Sequence, residues 1–398
     1  MLIGIVGKPS AGKSTFFKAM TLAEVDIANY PFTTIKPNHG TGFVKVECAD
    51  KEFNTTCNPR FGYCIHSRRF VPIDLLDVAG LVPGAHEGKG MGNQFLDDLS
   101  QGNALVHIID CSGSTNEKGE SVEAGSHDPA KDIVFLEFEL DMWFLRLIEK
   151  GWDKFARKVN QEHAQAYKAV ASHLTGLGVT EDIAKGVIAK LNLPADIMKW
   201  DREILKQIAT ELRKITKPMI IACNKIDIPT AQANFERLKK EFPSHMMVAC
   251  SAESELALKG AARAGIIDYI PGEKEFTMKD VSKLNEKQKN ALEFIRKNIL
   301  EKYGSTGVQD VLDRAVFNLL GMIAIFPGGV SKLEDSEGRR LPDCFLLPGK
   351  TTALDFAFKL HTDLGKNFIK AIDVRTKKAV GKDHPLKHRD VVEIVTGK

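Results

Sequence analysis

The segment Gly7-Lys8-Pro9-Ser10-Ala11-Gly12-Lys13-Ser14 has the residue types and spacing needed to grip a chain of phosphates. Its glycines allow the backbone to bend so that successive N–H groups face one anion. Lys13 can bridge the last two phosphates of a triphosphate, and the Ser14 hydroxyl is a hard oxygen suited to Mg2+. Thr15 extends the set of phosphate-binding residues, which is read as Gly7, Lys8, Ser10, Ala11, Gly12, Lys13, Ser14 and Thr15. Further along, Asp77-Val78-Ala79-Gly80 closes an apolar run. There Asp77 can join the Mg2+ shell, and the Gly80 amide can reach a terminal phosphate.

Two more segments point to the base. Asn224-Lys225-Ile226-Asp227 follows the apolar run PMIIAC. A carboxylate at Asp227 can accept both the N1–H and the 2-amino N–H of guanine, a donor pair adenine lacks. Asn224 would brace the surrounding loops, and the Lys225 stem would lie over the base. Ser251-Ala252-Glu253 would supply a backbone N–H to the guanine oxygen. Tyr30-Pro31-Phe32-Thr33-Thr34 sits where a first nucleotide-sensing loop belongs, with Thr34 expected on Mg2+ and the terminal phosphate and Thr33 as the alternative. The chemistry implied is GTP hydrolysis with Mg2+ as cofactor, its reacting end held by Lys13, Thr34 and Gly80. The glycines of Gly84–Gly92, directly after Asp77–Gly80, suit a second mobile loop ordered by the terminal phosphate.

These residues need a scaffold that brings strand ends together. Leu2–Val6, Gly42–Cys48, Phe70–Asp77, Ala104–Asp110, Pro218–Cys223 and Met246–Cys250 read as strands, and a helix starts at Lys13. Strands separated by helical stretches predict an α/β, doubly wound, mostly parallel sheet. Ile133, Leu136, Leu140, Trp143, Phe144 and Leu147 form one apolar helical stripe, and further helices are expected over Lys154–His173, Glu181–Leu191 and Arg202–Ile215. The pattern predicts a nucleotide domain over 1–130 and 215–275, a helical insertion over 131–214, a helical connector over 276–320 that includes Val281–Tyr303, and a small α+β domain over 321–398. In that last domain Leu346-Leu347, Ile369–Val374 and Val391–Val395 read as strands and Ala353–Leu364 as a helix.

A chain of 398 residues, 43% hydrophobic and 27% charged, suits several soluble domains. The net charge of +3 is small, although the last 78 residues alone carry an excess of four positive charges. The apolar run Phe317–Phe326 is too short to span a membrane, and Met1–Val6 leads straight into the phosphate loop, so neither a membrane nor a secretory address is expected. Seven scattered cysteines read as reduced thiols of a cytoplasmic protein. Cys48, Cys57, Cys64 and His66 have the atom types of a zinc site without its usual close spacing; the alternative is a long hairpin loop that happens to carry thiols.

Taken together, NYPFTTIKPN (Asn29–Asn38) and DVAGLVPGAHEGKGMGNQFL (Asp77–Leu96), with the motifs above, resemble the Obg-like GTPases, and among them the YchF-related branch. LPGKTTALDFAFKLHTDLGKNFIKAI (Leu347–Ile372) and DVVEIVTG (Asp390–Gly397) look like a TGS domain, a ubiquitin-like β-grasp module. The resemblance implies a switch linked to the ribosome or RNA through the helical and TGS modules, with no DNA partner. It also implies two alternatives, an ATP-preferring hydrolase of the YchF type and a ribosome-binding adaptor with a structural nucleotide. Three residues bear on the chemistry. The intact Asp227 motif favours GTP where YchF proteins are degenerate. Ser10 replaces the Asn linked to potassium stimulation in many relatives. Leu81 stands where Ras-like proteins orient water with Gln, so intrinsic hydrolysis should be slow. His107 and His86 are alternative catalytic groups, with a buried core histidine the ordinary reading for the first and a solvated loop residue for the second.

Overall fold

The computed structural model describes residues 1–21, 38–78, 99 and 101–397. Seven strands form its main sheet: β1 (Leu2–Val6), β2 (His39–Glu47), β3 (Tyr63–Ile65), β4 (Arg68–Asp77), β5 (Ala104–Asp110), β6 (Met219–Asn224) and β7 (Met246–Ala249). Their order is β2-β4-β1-β5-β6-β7, with β3 beside β4. From β4 to β7 neighbours run parallel, while β2 and β3 are antiparallel to β4. Every residue of β5 and β6 is buried, as continuous apolar runs require when helices cover both faces. The register pairs Val6 with His107 and Asp110 with Asn224, so the carboxyl ends of the central strands line one edge.

One face packs against the helix Lys13–Thr21 and the helix Val308–Arg314, the other against helices Ala130–Glu149 and Pro229–Glu241. Ala130–Glu149 buries Ile133, Leu136, Leu140, Trp143 and Phe144 as the stripe predicts, while Leu147 is half-buried and Leu145 and Ile148 join the core. It pairs with the helix Arg202–Thr216, where the buried Arg213 bridges Glu137 at 3.1 Å and Asp141 at 2.7 Å. The single helix expected over Lys154–His173 is two, Trp152–Gln161 and Ala166–His173. His163, at φ 49° in the left-handed region, turns the chain between them.

A two-stranded hairpin pairs β8 (Ile267–Tyr269) with β9 (Phe276–Met278), and the second large sheet has the order β11-β10-β14-β12-β13, formed by β10 (Met322–Pro327), β11 (Phe345–Pro348), β12 (Phe368–Asp373), β13 (Lys378–Val380) and β14 (Val391–Thr396). The helix expected over Ala353–Leu364 is broken at His361, which is fully extended and caps a second short helix, Thr362–Lys366. The apolar run Phe317–Phe326 divides between a π-helical turn and β10, with Gly321 at φ 60° reversing the chain. Ala324 and Phe326 of β10 share a core with Val44, Val71 and Val316. Consequently the stretch expected as a connector does more than link: Val308–Leu319 is packed beneath the main sheet.

His107 lies in the middle of β5, 2% exposed, and burial pushes its pKa down to about 3. Among the described residues its Nδ1 has no hydrogen-bond partner. It is a core histidine, neutral in the folded chain. Unfolded, it binds a proton below about 6.5, so its contribution is neutral above that pH and increasingly destabilising as pH falls toward 3. Urea unfolding at a series of pH values should therefore show a shallower loss of stability between pH 6.5 and 4 for His107→Leu than for the parent chain.

Candidate functional site

The phosphate loop leaves β1 and enters the helix Lys13–Thr21, the position in which backbone amides and a helix N-terminus combine to attract anions. Ser10 at φ 58° and Gly12 at φ 91° hold the loop in left-handed turns. A Cβ on Gly7 would stand 2.5 Å from the Ile108 carbonyl oxygen, and one on Gly12 only 2.2 Å from Asn224 Nδ2. Both positions therefore exclude any side chain. Lys13 Nζ lies 2.5 Å from Asp77 Oδ1, which places the cation expected on phosphate and the carboxylate expected on metal at one spot. Ser14 is exposed beside them. A hydroxyl and a carboxylate are the hard oxygens that Mg2+ takes, so this pair fits the ion.

The residues expected to recognise the base converge on the same edge. Asn224 ends β6, and its side chain donates to the Ala11 carbonyl at 2.9 Å while accepting from the Ala252 amide at 3.1 Å. Lys225 takes a left-handed φ of 62°. Ser251 Oγ donates to Asp227 Oδ1 at 2.8 Å, fixing the carboxylate's orientation. Of the three amides in the segment expected to supply one N–H to a guanine oxygen, two are already engaged inside the protein: Ser251 N–H by the Thr306 carbonyl at 2.9 Å, and Ala252 N–H by Asn224. Glu253 follows in the first helical turn of Ala252–Arg263, and is exposed.

Several supporting residues escape a motif-based reading. Asp110 is fully buried at the end of β5 and accepts from Ser112, Ser114 and Thr115 hydroxyls and from Lys225 Nζ at 2.9 Å. Burial opposes its charge, yet the bonds from Ser112 and Lys225 outweigh it and keep the carboxyl below its usual range. Asp110 thus anchors the stem of Lys225. The sequence signal was an acid closing an apolar strand with hydroxyls two, four and five residues later. The Lys8 side chain is turned away from the phosphate loop, to the Thr115 carbonyl at 2.8 Å and Asp132 at 2.9 Å, with His127 on the other Asp132 oxygen at 2.8 Å. Lys8 can serve phosphates only through its backbone. Thr306 was missed as well, because it lies about fifty residues beyond the motif it braces. Thr33, Thr34, Gly80, Leu81, His86 and the loop Gly84–Gly92 lie outside the described residues.

Family models match three stretches: a 50S ribosome-binding GTPase model over residues 2–137, the Obg-like GTPase YGR210-like G4 motif-containing domain over 222–329, and the TGS domain over 335–396. An uncharacterised GTP-binding protein of Methanocaldococcus jannaschii is 48% identical over 396 residues, covering 99% of both chains. The chain belongs to the Obg-like, YchF-related GTP-binding proteins. The crystal structure of a GTP-binding protein from Pyrococcus horikoshii superposes with a TM-score of 0.79 at 38% identity, covering all of both chains. A more distant member of this family, the ribosome-binding ATPase YchF of Escherichia coli, is 26% identical over 411 residues, 98% of each chain. The TGS assignment accords with the mixed second sheet, and the Obg-like assignment with the phosphate loop on β1.

Because Asn224 satisfies two buried backbone groups at once, Asn224→Ala should leave both unpaired, at about 1–3 kcal/mol. Titration with a fluorescent GDP should show affinity weakened about 5- to 150-fold.

Proposed function

We propose that this Obg-like protein is a Mg2+-dependent GTPase that works as a molecular switch. The observation that carries the reading is the bond from Ser251 to Asp227 beside a phosphate loop tied to the same edge by Asn224. An oriented carboxylate accepts the two guanine donors, and Lys225, anchored by Asp110, lays its stem along the base. Amides of Gly7–Ser14 cradle the phosphates, and Lys13 exchanges Asp77 for the terminal oxygens as nucleotide enters. Magnesium, when bound through Ser14 and Asp77, supplies charge neutralisation at the phosphates. Thr34 and the Gly80 amide complete the contacts to the terminal phosphate, so the loops carrying them follow its presence. Leu81 offers no group to orient water, and the intrinsic rate is slow.

The helical insertion and the TGS domain report the nucleotide state to a ribosomal or RNA partner in the cytoplasm. The excess of basic residues in the final domain and the ribosome-binding name of the Escherichia coli relative support that partner class. Pelleting purified ribosomes with the GTP-locked chain tests it; equal recovery without nucleotide would count against a switch.

GDP should bind at least about tenfold more tightly than ADP, since Asp227 rejects a base lacking the donor pair. The reverse order would favour an ATP-preferring hydrolase. Asp227→Asn replaces an acceptor by an amide that can donate to a 2-oxo group. The variant should lose about tenfold or more in GDP affinity and gain xanthosine diphosphate binding, measured by calorimetry. In single turnover Lys13→Ala should slow GTP cleavage by about two orders of magnitude. An unchanged rate would favour the adaptor with a structural nucleotide.

A further inference from the structure

Three thiols outside the nucleotide site form a cluster. Cys48 follows β2, Cys57 sits in the loop after the short 3-10 helix Ala49–Phe53, and Cys64 is the middle residue of β3. Their sulfurs all lie within 4.8 Å of one another, Cys48 and Cys57 buried and Cys64 half-buried. His66, grouped with them on sequence, is instead exposed and faces Asp268 at 3.3 Å. The carboxylate beside the cluster is Asp50, 4% exposed, with Oδ2 4.0 Å from Cys64 Sγ.

A second observation concerns charge. Arg69 is 1% exposed, and its hydrogen-bond partners among the described residues include no carboxylate. Its guanidinium donates to carbonyls of Phe61, Leu341 and Pro342 and to Cys57 Sγ at 3.0 Å. A buried cation with only neutral partners is costly, so an anionic sulfur cluster is the counter-charge this pocket calls for. Thiolates crowded this closely repel one another unless a cation sits among them, and soft sulfur donors select zinc over magnesium.

We propose that Cys48, Cys57 and Cys64 bind one Zn2+ as thiolates, and that Asp50, which lies outside the 4.8 Å cluster but 4.0 Å from Cys64 Sγ, turns in as the fourth donor. Binding releases the thiol protons to solvent, and no redox change is involved. The metal is structural, because four protein donors leave no open position. Its place explains its use. The loop it closes is the platform for the C-terminal domain: Asn58 N–H donates to the Arg340 carbonyl at 2.9 Å, Arg60 N–H to the Pro342 carbonyl at 2.8 Å, and Glu52 is clasped by Arg375 and Arg389. A zinc clip at its base keeps that platform in shape.

The test is metal analysis of the full-length chain, purified without added metal and washed with EDTA. The expected result is about one zinc per chain, with X-ray absorption showing three sulfurs at about 2.3 Å. The double variant Cys57→Ser/Cys64→Ser should lose the zinc and become cleaved by trypsin near Arg339–Arg340 several-fold faster, while GDP affinity is unchanged. Asp50→Asn should keep three sulfurs and release zinc faster to a competing chelator. Zinc absent from the parent chain, zinc bound without sulfur in its shell, or a disulfide between two of the three cysteines would each overturn the assignment. These readouts on the parent chain hold even if the double variant fails to fold.

Discussion

One carboxamide joins the two halves of the proposed nucleotide site. Asn224 is buried at the end of β6, and its amide spans from the carbonyl of Ala11 in the phosphate loop to the amide of Ala252 in the base-recognition turn. Both of its polar atoms are committed, so it can neither rotate nor flip without leaving a buried group unpaired. The distance between phosphate grip and base selector is therefore set by a single side chain on a rigid strand. Parallel pairing supplies the rest: β1, β5, β6 and β7 deliver their carboxyl ends to one edge in fixed register.

Around this bridge the structure handles charge by enclosure. Asp110, Asp132 and Asp77 each face a lysine, Lys225, Lys8 and Lys13 respectively, and the first two acids also take hydroxyl or imidazole donors. A buried ion pair contributes little to stability on its own, because desolvation offsets its attraction. What such pairs supply here is placement. Lys225 is drawn along the loop after β5, and Lys8 is drawn out of the phosphate path, leaving Lys13, among the described residues, as the ammonium in the groove.

Much of this was legible in the sequence, because phosphate and base recognition need particular residue types at short spacing next to apolar strands. Gly7–Ser14, Asp77 and Asn224–Asp227 announce themselves in that way, and the continuous apolar runs mark β5 and β6. Less legible were features set by distant partners. Nothing near Ser251 reveals that Thr306 would take its amide, nor does Lys8 show that Asp132 would claim its side chain. The apolar run Phe317–Phe326 hid a strand because its first three residues end a π-helical turn, and only the reversal at Gly321 separates the two. The break at His163 is likewise a single left-handed residue in a stretch whose composition suits one helix.

Gly12 has a meaning beyond flexibility. Since a methyl group there would press on the amide that ties the loop to β6, a replacement at this position strikes the purine end as well as the phosphate end. In this protein such a variant would also disturb the choice of base, and a phenotype from it would confound the two.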